Sequence, residues 1–313
     1  MKRVAFIFPG QGSQAVGMGH EMYEAYPVVK ELFDKADQTL GYSLTSLMFE
    51  GPAEELTKTE NAQPGLLLNS AAITEVLKNE GIKPEMTAGH SLGEYSALVA
   101  AEALHLNDGL HLVHHRGKLM EEAVPHGQGA MAAVLGLSKE EIEKVIQKCD
   151  EDEPVDLANI NCPGQIVISG TARGVEQASN NLKEAGAKRV MPLNVSGPFH
   201  SRLMKPASEK FNGYLKEVVI NPADCPVYAN VTAEPVKDAA HIEQLLIEQL
   251  YSPVRFQEIL EEFVQADLDA IVEVGHGKVL SGLVKKVDRR TKTFSVQDPE
   301  TLNSFIQWFK EDS

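Results

Sequence analysis

Apolar positions along this chain fall into two patterns: short unbroken runs, and longer stretches in which they recur every three or four residues. Residues 4–8 form an unbroken run of the kind a buried strand requires, and they empty into Pro9-Gly10-Gln11-Gly12-Ser13-Gln14. Val29, Leu32, Phe33, Ala36 and Leu40 then keep helical spacing, and Gly41 closes that helix. Residues 64–77 are apolar nearly all round, which predicts a buried helix. The short strand Met86-Thr87-Ala88 comes next, then Gly89-His90-Ser91-Leu92-Gly93, then an alanine-rich helix over 97–103. Asn107 or Asp108 can cap the next helix, whose inward stripe is Leu112, Val113, Leu119 and Met120.

From Gly127 the pattern changes. Residues 130–137 read as a strand, and Ser138 with Glu141 makes a capping box for a helix reaching Lys148. The acidic run Cys149-Asp150-Glu151-Asp152-Glu153-Pro154 is an exposed turn. Strands at 155–161 and 165–169 flank Cys162-Pro163-Gly164, a helix covers 172–185, and 187–193 is a last strand. This βαββαβ order predicts a ferredoxin-like subdomain over 127–196, inserted into a larger unit made of 1–126 and 197–313. That unit continues with helices over 203–218, 242–250, from 256, over 279–287 and through Trp308, and with strands over 226–230, 270–274 and near Phe294. The fold class is α/β with a parallel sheet.

Composition narrows the function. The 313 residues are 43% hydrophobic, enough for a large core, and no apolar run nears the roughly 18 residues of a membrane span. With Lys and Arg totalling 29 against 45 Asp and Glu, the formal charge of -16 argues against a general nucleic-acid binder. Three cysteines, Cys149, Cys162 and Cys225, are too few and too far apart for a disulfide framework or a zinc site. A soluble cytoplasmic protein with no membrane association is expected.

The chemistry centres on Gly89-His90-Ser91-Leu92-Gly93. A serine between two glycines, after a strand and before a helix, is a nucleophile elbow whose tight turn needs small neighbours. The helix N-terminus behind it favours an oxyanion beside the serine. A neutral hydroxyl needs a base, and of the ten histidines His200 stands out, because Gly197-Pro198 makes a stiff turn just before it. Arg116 falls on the inward stripe of its helix, where a guanidinium needs an anion from the protein or a ligand. Gly10-Gln11-Gly12-Ser13-Gln14-Ala15 matches the loose dinucleotide fingerprint, yet a helical pattern stands where an acidic strand end is required. Gly275-His276-Gly277-Lys278 lacks the first glycine and the Ser or Thr of a phosphate loop, and reads as a strand-to-helix turn. His111, His114 and His115 share a helix without a carboxylate at matching spacing, so no metal site is expected.

Phe8-Pro9-Gly10-Gln11-Gly12-Ser13-Gln14, Gly89-His90-Ser91-Leu92-Gly93-Glu94, Gly197-Pro198-Phe199-His200-Ser201 and Glu248-Gln249-Leu250-Tyr251-Ser252-Pro253-Val254 together resemble the malonyl-CoA:acyl carrier protein transacylases, in order and over the full length. The resemblance implies an α/β-hydrolase-like core carrying the ferredoxin-like insertion. By motif it implies Ser91 as nucleophile, His200 as base, and backbone N–H groups of Gln11 and Leu92 as oxyanion hole. Arg116 would hold the malonyl carboxylate, and the Gln249 carbonyl would orient the histidine in place of a triad acid. Asn159 resembles an asparagine near the pocket, and Phe199 the malonyl-selecting pattern. The activity implied by the resemblance is ping-pong transfer from malonyl-CoA to the phosphopantetheine of acyl carrier protein for fatty-acid biosynthesis, with no metal or redox cofactor. A serine hydrolase or thioesterase, a polyketide-type acyltransferase of other extender specificity, and a non-catalytic scaffold remain as alternatives.

Overall fold

The computed structural model describes residues 2–311. Its strands are β1 (Val4–Phe8), β2 (Met86–Gly89), β3 (Gly129–Leu135), β4 (Val155–Cys162), β5 (Gln165–Thr171), β6 (Arg189–Pro192), β7 (Val227–Tyr228), β8 (Pro235–Val236), β9 (Ala270–Val274) and β10 (Thr293–Val296). Its helices are α1 (His20–Ala25), α2 (Pro27–Leu40), α3 (Leu44–Glu50), α4 (Ala53–Thr57), α5 (Thr59–Asn79), α6 (Gly93–Ala100) and α7 (Leu106–Glu122) in the first part of the chain. The later helices are α8 (Lys139–Ile146), α9 (Ala172–Glu184), α10 (Lys205–Leu215), α11 (Ala239–Gln249), α12 (Phe256–Gln265), α13 (Val279–Val287) and α14 (Pro299–Lys310).

Six strands form one sheet in the order β10-β9-β1-β2-β7-β8, parallel except for the β7–β8 pair at the edge. Both faces of β1 are covered, which is why its sequence is apolar without alternation. Val4, Phe6 and Phe8 enter the core built with α2, α5, α6 and α7, while Ala5 and Ile7 enter the core built with α12 and α13. The remaining strands form an antiparallel sheet ordered β4-β5-β3-β6. Here alternation returns: Ala132 and Val134 pack on α8 and α9, and Met131 and Ala133 point into the first core. Backbone bonds from Ile160 N to Val254 O and from Val254 N to Ala158 O, both 2.8 Å, tie β4 to the segment after α11. Among the described residues no helix is long and apolar enough to cross a membrane.

Several boundaries differ from expectation for local reasons. Helix α5 starts at Thr59, so Pro64 lies inside it. Proline withdraws the N–H that the Glu60 carbonyl would accept, and His114 Nδ1 donates to that carbonyl at 3.0 Å instead. The alanine run does not carry α6 to residue 103. Glu102 takes φ 57°, and Ala103 N and Glu102 N bond back to Leu98 O and Val99 O at 2.9 and 3.1 Å, a Schellman closure. Neither Asn107 nor Asp108 caps α7, which begins after His105 and places Asp108 in its first turn. The strand expected over 226–230 is only two residues long, because Ala229 and Asn230 leave the ladder and turn toward the elbow. The short elements α1, α3, α4 and β8 were not legible in the hydrophobic pattern.

Candidate active site

In a parallel sheet the carboxyl ends of the strands open onto one edge, and β1, β2 and β7 deliver Gln11, Ser91 and Asn230 there. The turn after β2 is tight enough that a Cβ on Gly89 would lie 1.8 Å from the Gly93 carbonyl carbon. A Cβ on Gly93 would lie 2.1 Å from the Phe8 carbonyl oxygen. Only glycine fits at either place. Between them Ser91 takes φ 50°, a left-handed conformation rare for serine. Asn230 holds it there, accepting from Ser91 N at 2.8 Å and donating to Gly89 O at 2.7 Å.

Four of the residues named from the sequence converge. Ser91 Oγ lies 2.8 Å from His200 Nε2, and His200 Nδ1 lies 2.8 Å from the Gln249 backbone carbonyl. A carbonyl only accepts, so Nδ1 carries the ring proton and Nε2 presents its lone pair to the serine hydroxyl. His200 also has positive φ, 57°, and is only 3% exposed. Burial first, then the nearby Arg116 charge, hold its pKa down to about 3. The imidazole is neutral over the physiological range.

Arg116 is fully buried on α7 and donates from Nη2 to Ser91 Oγ (3.0 Å) and Gln249 Oε1 (3.0 Å), and from Nη1 to Gln63 Oε1 (2.7 Å). All three acceptors are neutral. Tyr95 lies beside Arg116, the guanidinium carbon 5.4 Å from that ring's centroid, and no carboxylate lies within ion-pair distance of it among the described residues. A buried guanidinium with only neutral acceptors is costly, and an anion brought within its reach would offset that cost. Burial lowers its pKa, with Tyr95 and Glu94 opposing.

The other named residues sit around this centre. Among the described residues, neither Gln11 nor Leu92 commits its backbone N–H to a protein acceptor; the Gln11 side chain donates to Thr59 Oγ1 at 3.1 Å. Phe199 is buried directly before His200. Among the described residues Asn159 makes no hydrogen bond to Ser91 or Arg116; its Nδ2 lies 3.4 Å from His90 Nε2, which is bonded more closely, at 2.7 Å, by Asn161 Oδ1. The Gly275-His276-Gly277 turn is occupied by the protein itself, since buried Glu273 accepts from Leu280 N and Ser281 N at 3.0 and 2.7 Å and caps α13.

Sequence reasoning missed Gln63, Glu94, Asn230 and Asn161. Glu94 had a signal: it is the one charged residue of its helix and stands in the first turn; the structure leaves it 3% exposed. Its Oε2 accepts from Gln249 Nε2 and Asn230 N, each at 2.9 Å. Burial raises its pKa to about 7 against the pull of those two bonds and of Arg116. Gln249 thereby touches every part of the centre, because its Nε2 also donates to Ser91 O at 3.0 Å.

A serine on a strand-to-helix elbow, met by a histidine and an arginine from elsewhere in the chain, is an arrangement able to carry an acyl group, and the chain belongs to the acyl transferase domain family, which matches residues 5–301. Within that family it is similar to the malonyl CoA-acyl carrier protein transacylase of Bacillus subtilis (strain 168), 57% identical over 314 residues covering 100% of this chain and 99% of that protein. The corresponding protein of Haemophilus influenzae (strain ATCC 51907 / DSM 11121 / KW20 / Rd) is 47% identical over 97% of this chain and 98% of its own length. Among solved structures, a malonyl-transacylase in complex with its type II PKS acyl-carrier protein matches with TM-score 0.95 at 42% identity, covering 97% of this chain and 99% of that one.

Proposed function

We propose that this protein transfers the malonyl group of malonyl-CoA to the phosphopantetheine thiol of acyl carrier protein, through an ester on Ser91, and supplies fatty-acid biosynthesis in the cytoplasm. The observation that carries this reading is the buried Arg116, whose Nη2 reaches the same Ser91 Oγ that faces His200 Nε2 and whose hydrogen-bond acceptors are all neutral. It pairs an acylatable serine with a receptor for the free carboxylate of the acyl group.

In the first half-reaction Ser91 Oγ attacks the thioester carbonyl and its proton passes to His200 Nε2. The backbone N–H groups of Gln11 and Leu92 receive the negative oxygen. The C–S bond then breaks, and the CoA sulfur leaves with the proton from His200. In the second half the carrier thiol gives its proton to His200 and attacks the ester carbonyl; the C–O bond breaks and Ser91 recovers the proton. The Gln249 carbonyl supports the imidazole, Arg116 grips the malonate end, and Phe199 with Asn159 borders the acyl pocket. These residues carry both steps without a cofactor.

The same reading takes the six-stranded unit as an α/β-hydrolase-like core over 1–126 and 197–313. It takes 127–196 as a ferredoxin-like subdomain, supported by its antiparallel order β4-β5-β3-β6, which is 2-3-1-4 counted within the segment. Incubation with malonyl-CoA and then holo carrier protein, with mass spectrometry of both proteins, tests the function. A malonyl adduct on the Ser91 peptide that moves to phosphopantetheine is expected; malonate released with no adduct on the carrier would make the protein a hydrolase.

A further inference from the structure

The charge of the site does not balance in an obvious way. Arg116 is buried among neutral acceptors, and an isolated buried charge costs several kcal/mol. The carboxyl group nearest in the network is Glu94, one amide away: Gln249 Nε2 donates to Glu94 Oε2, and Gln249 Oε1 accepts from Arg116 Nη2. The charged or titratable groups that face Glu94 are Arg116 from α7 and Tyr95 on its own helix. The segments after β7 and α11 present only neutral Asn230 and Gln249, and His200 beyond them is held neutral.

We propose that Glu94 carries the negative charge that balances Arg116 while the site is empty, and takes up a proton from solvent when the acyl carboxylate arrives on Arg116. The inference rests on Arg116 being the carboxylate receptor. Two anions cannot both be neutralised by one buried guanidinium, and the entering carboxylate makes direct contact where Glu94 acts only through an amide. The geometry tolerates the added proton. Both donors, Asn230 N and Gln249 Nε2, go to Oε2, which still accepts when the acid is neutral, and Oε1 receives neither and can carry the hydrogen. The group stands near its midpoint at neutral pH, so a modest change in its surroundings is enough to tip it. Glu94 is therefore a positioning residue with a variable charge, and malonyl binding is linked to pH where acetyl binding is not.

The sign comes from linkage: a site that gains a proton on binding loses affinity as pH rises. Titration calorimetry on Ser91→Ala protein at about pH 7.5, in two buffers of different ionisation enthalpy, should show malonyl-CoA taking up between about half and one proton more per site than acetyl-CoA. Acetyl-CoA carries the same phosphates and serves as the baseline. Adding Glu94→Gln should abolish the excess and flatten the pH dependence of malonyl binding. Should that variant not fold, an infrared carboxylic-acid band that grows on malonyl-CoA binding with Glu94 intact reads the same proton. An excess that survives Glu94→Gln would place the proton on His200 and overturn the inference. So would the absence of any excess while malonyl is still preferred in a manner that Arg116→Ala removes. Equal binding of the two thioesters, unaffected by Arg116→Ala, would instead overturn Arg116 as the carboxylate receptor.

Discussion

Replacing Arg116 by alanine separates substrate recognition from chemistry. The guanidinium holds neutral acceptors Gln63 Oε1, Gln249 Oε1 and Ser91 Oγ, and a malonyl carboxylate would exchange some of these for charged ones. Hydrogen bonds to charged groups contribute about 1.5–3 kcal/mol each, so a two-pronged grip is worth about 3–6 kcal/mol. At about 1.36 kcal/mol per tenfold in rate this is about 10² to 10⁴, and the bonds already made in the empty site place the expectation in the lower half, about 10² to 10³ in kcat/KM. Acetyl-CoA offers no carboxylate for Arg116 to grip, so its kcat/KM should stay within about threefold or rise. Arg116→Lys, a point charge without the fork, should recover only part of the malonyl rate. Stopped-flow acylation with both thioesters gives the ratio directly. An equal fall for malonyl and acetyl transfer would show that Arg116 serves the fold or the serine alone.

The base yields a second expectation: because His200 titrates near 3, acylation by acetyl-CoA should be flat from about pH 5 to 7, and an acid limb centred near the ordinary histidine value would refute a buried neutral base. Asn230→Ala leaves Ser91 N and Gly89 O without their side-chain partner, which should cost about 2–4 kcal/mol in urea unfolding and lower the acylation rate; unchanged stability would mean the elbow holds its own strain. For carrier docking, the exposed Lys188 and Arg189 beside β6 and Lys285, Lys286, Arg289 and Arg290 at the end of α13 are the basic clusters on an otherwise acidic chain. Reversing their charge should raise KM for carrier protein and weaken its salt dependence with acylation by malonyl-CoA intact, and an unchanged KM removes both from the docking face.

How much was legible depended on whether the signal was local. The elbow could be read because Gly89, Ser91 and Gly93 all lie in one turn, and the capping box at Ser138 and Glu141 because both halves lie within one helical turn. The strand β1 announces itself by a continuous apolar run, and β9 by an apolar run broken only at Glu273. Arg116 betrayed itself as a charge in an apolar stripe, and the structure buries it completely. By contrast Asn230 is an asparagine just past a two-residue strand, and nothing within its own segment tells that it braces a serine 139 positions away. Pro64 misled for the opposite reason: its penalty is real, but the missing donor comes from His114, on another helix.

The arrangement also explains why, among the described residues, a carbonyl and not an acidic residue meets the histidine behind the serine. A carboxylate against His200 Nδ1 would raise the imidazole's pKa and add a second anion to a site that must accept the substrate's own. The Gln249 carbonyl fixes the same tautomer at 2.8 Å without a charge, and the side chain of that one residue reaches Arg116, Ser91 O, Asn230 and Glu94. The acid is thus kept one amide away from both the base and the arginine. A site organised so keeps Arg116 free of a direct ion pair among the described residues, which would suit an acyl group that brings its own carboxylate better than one that lacks it.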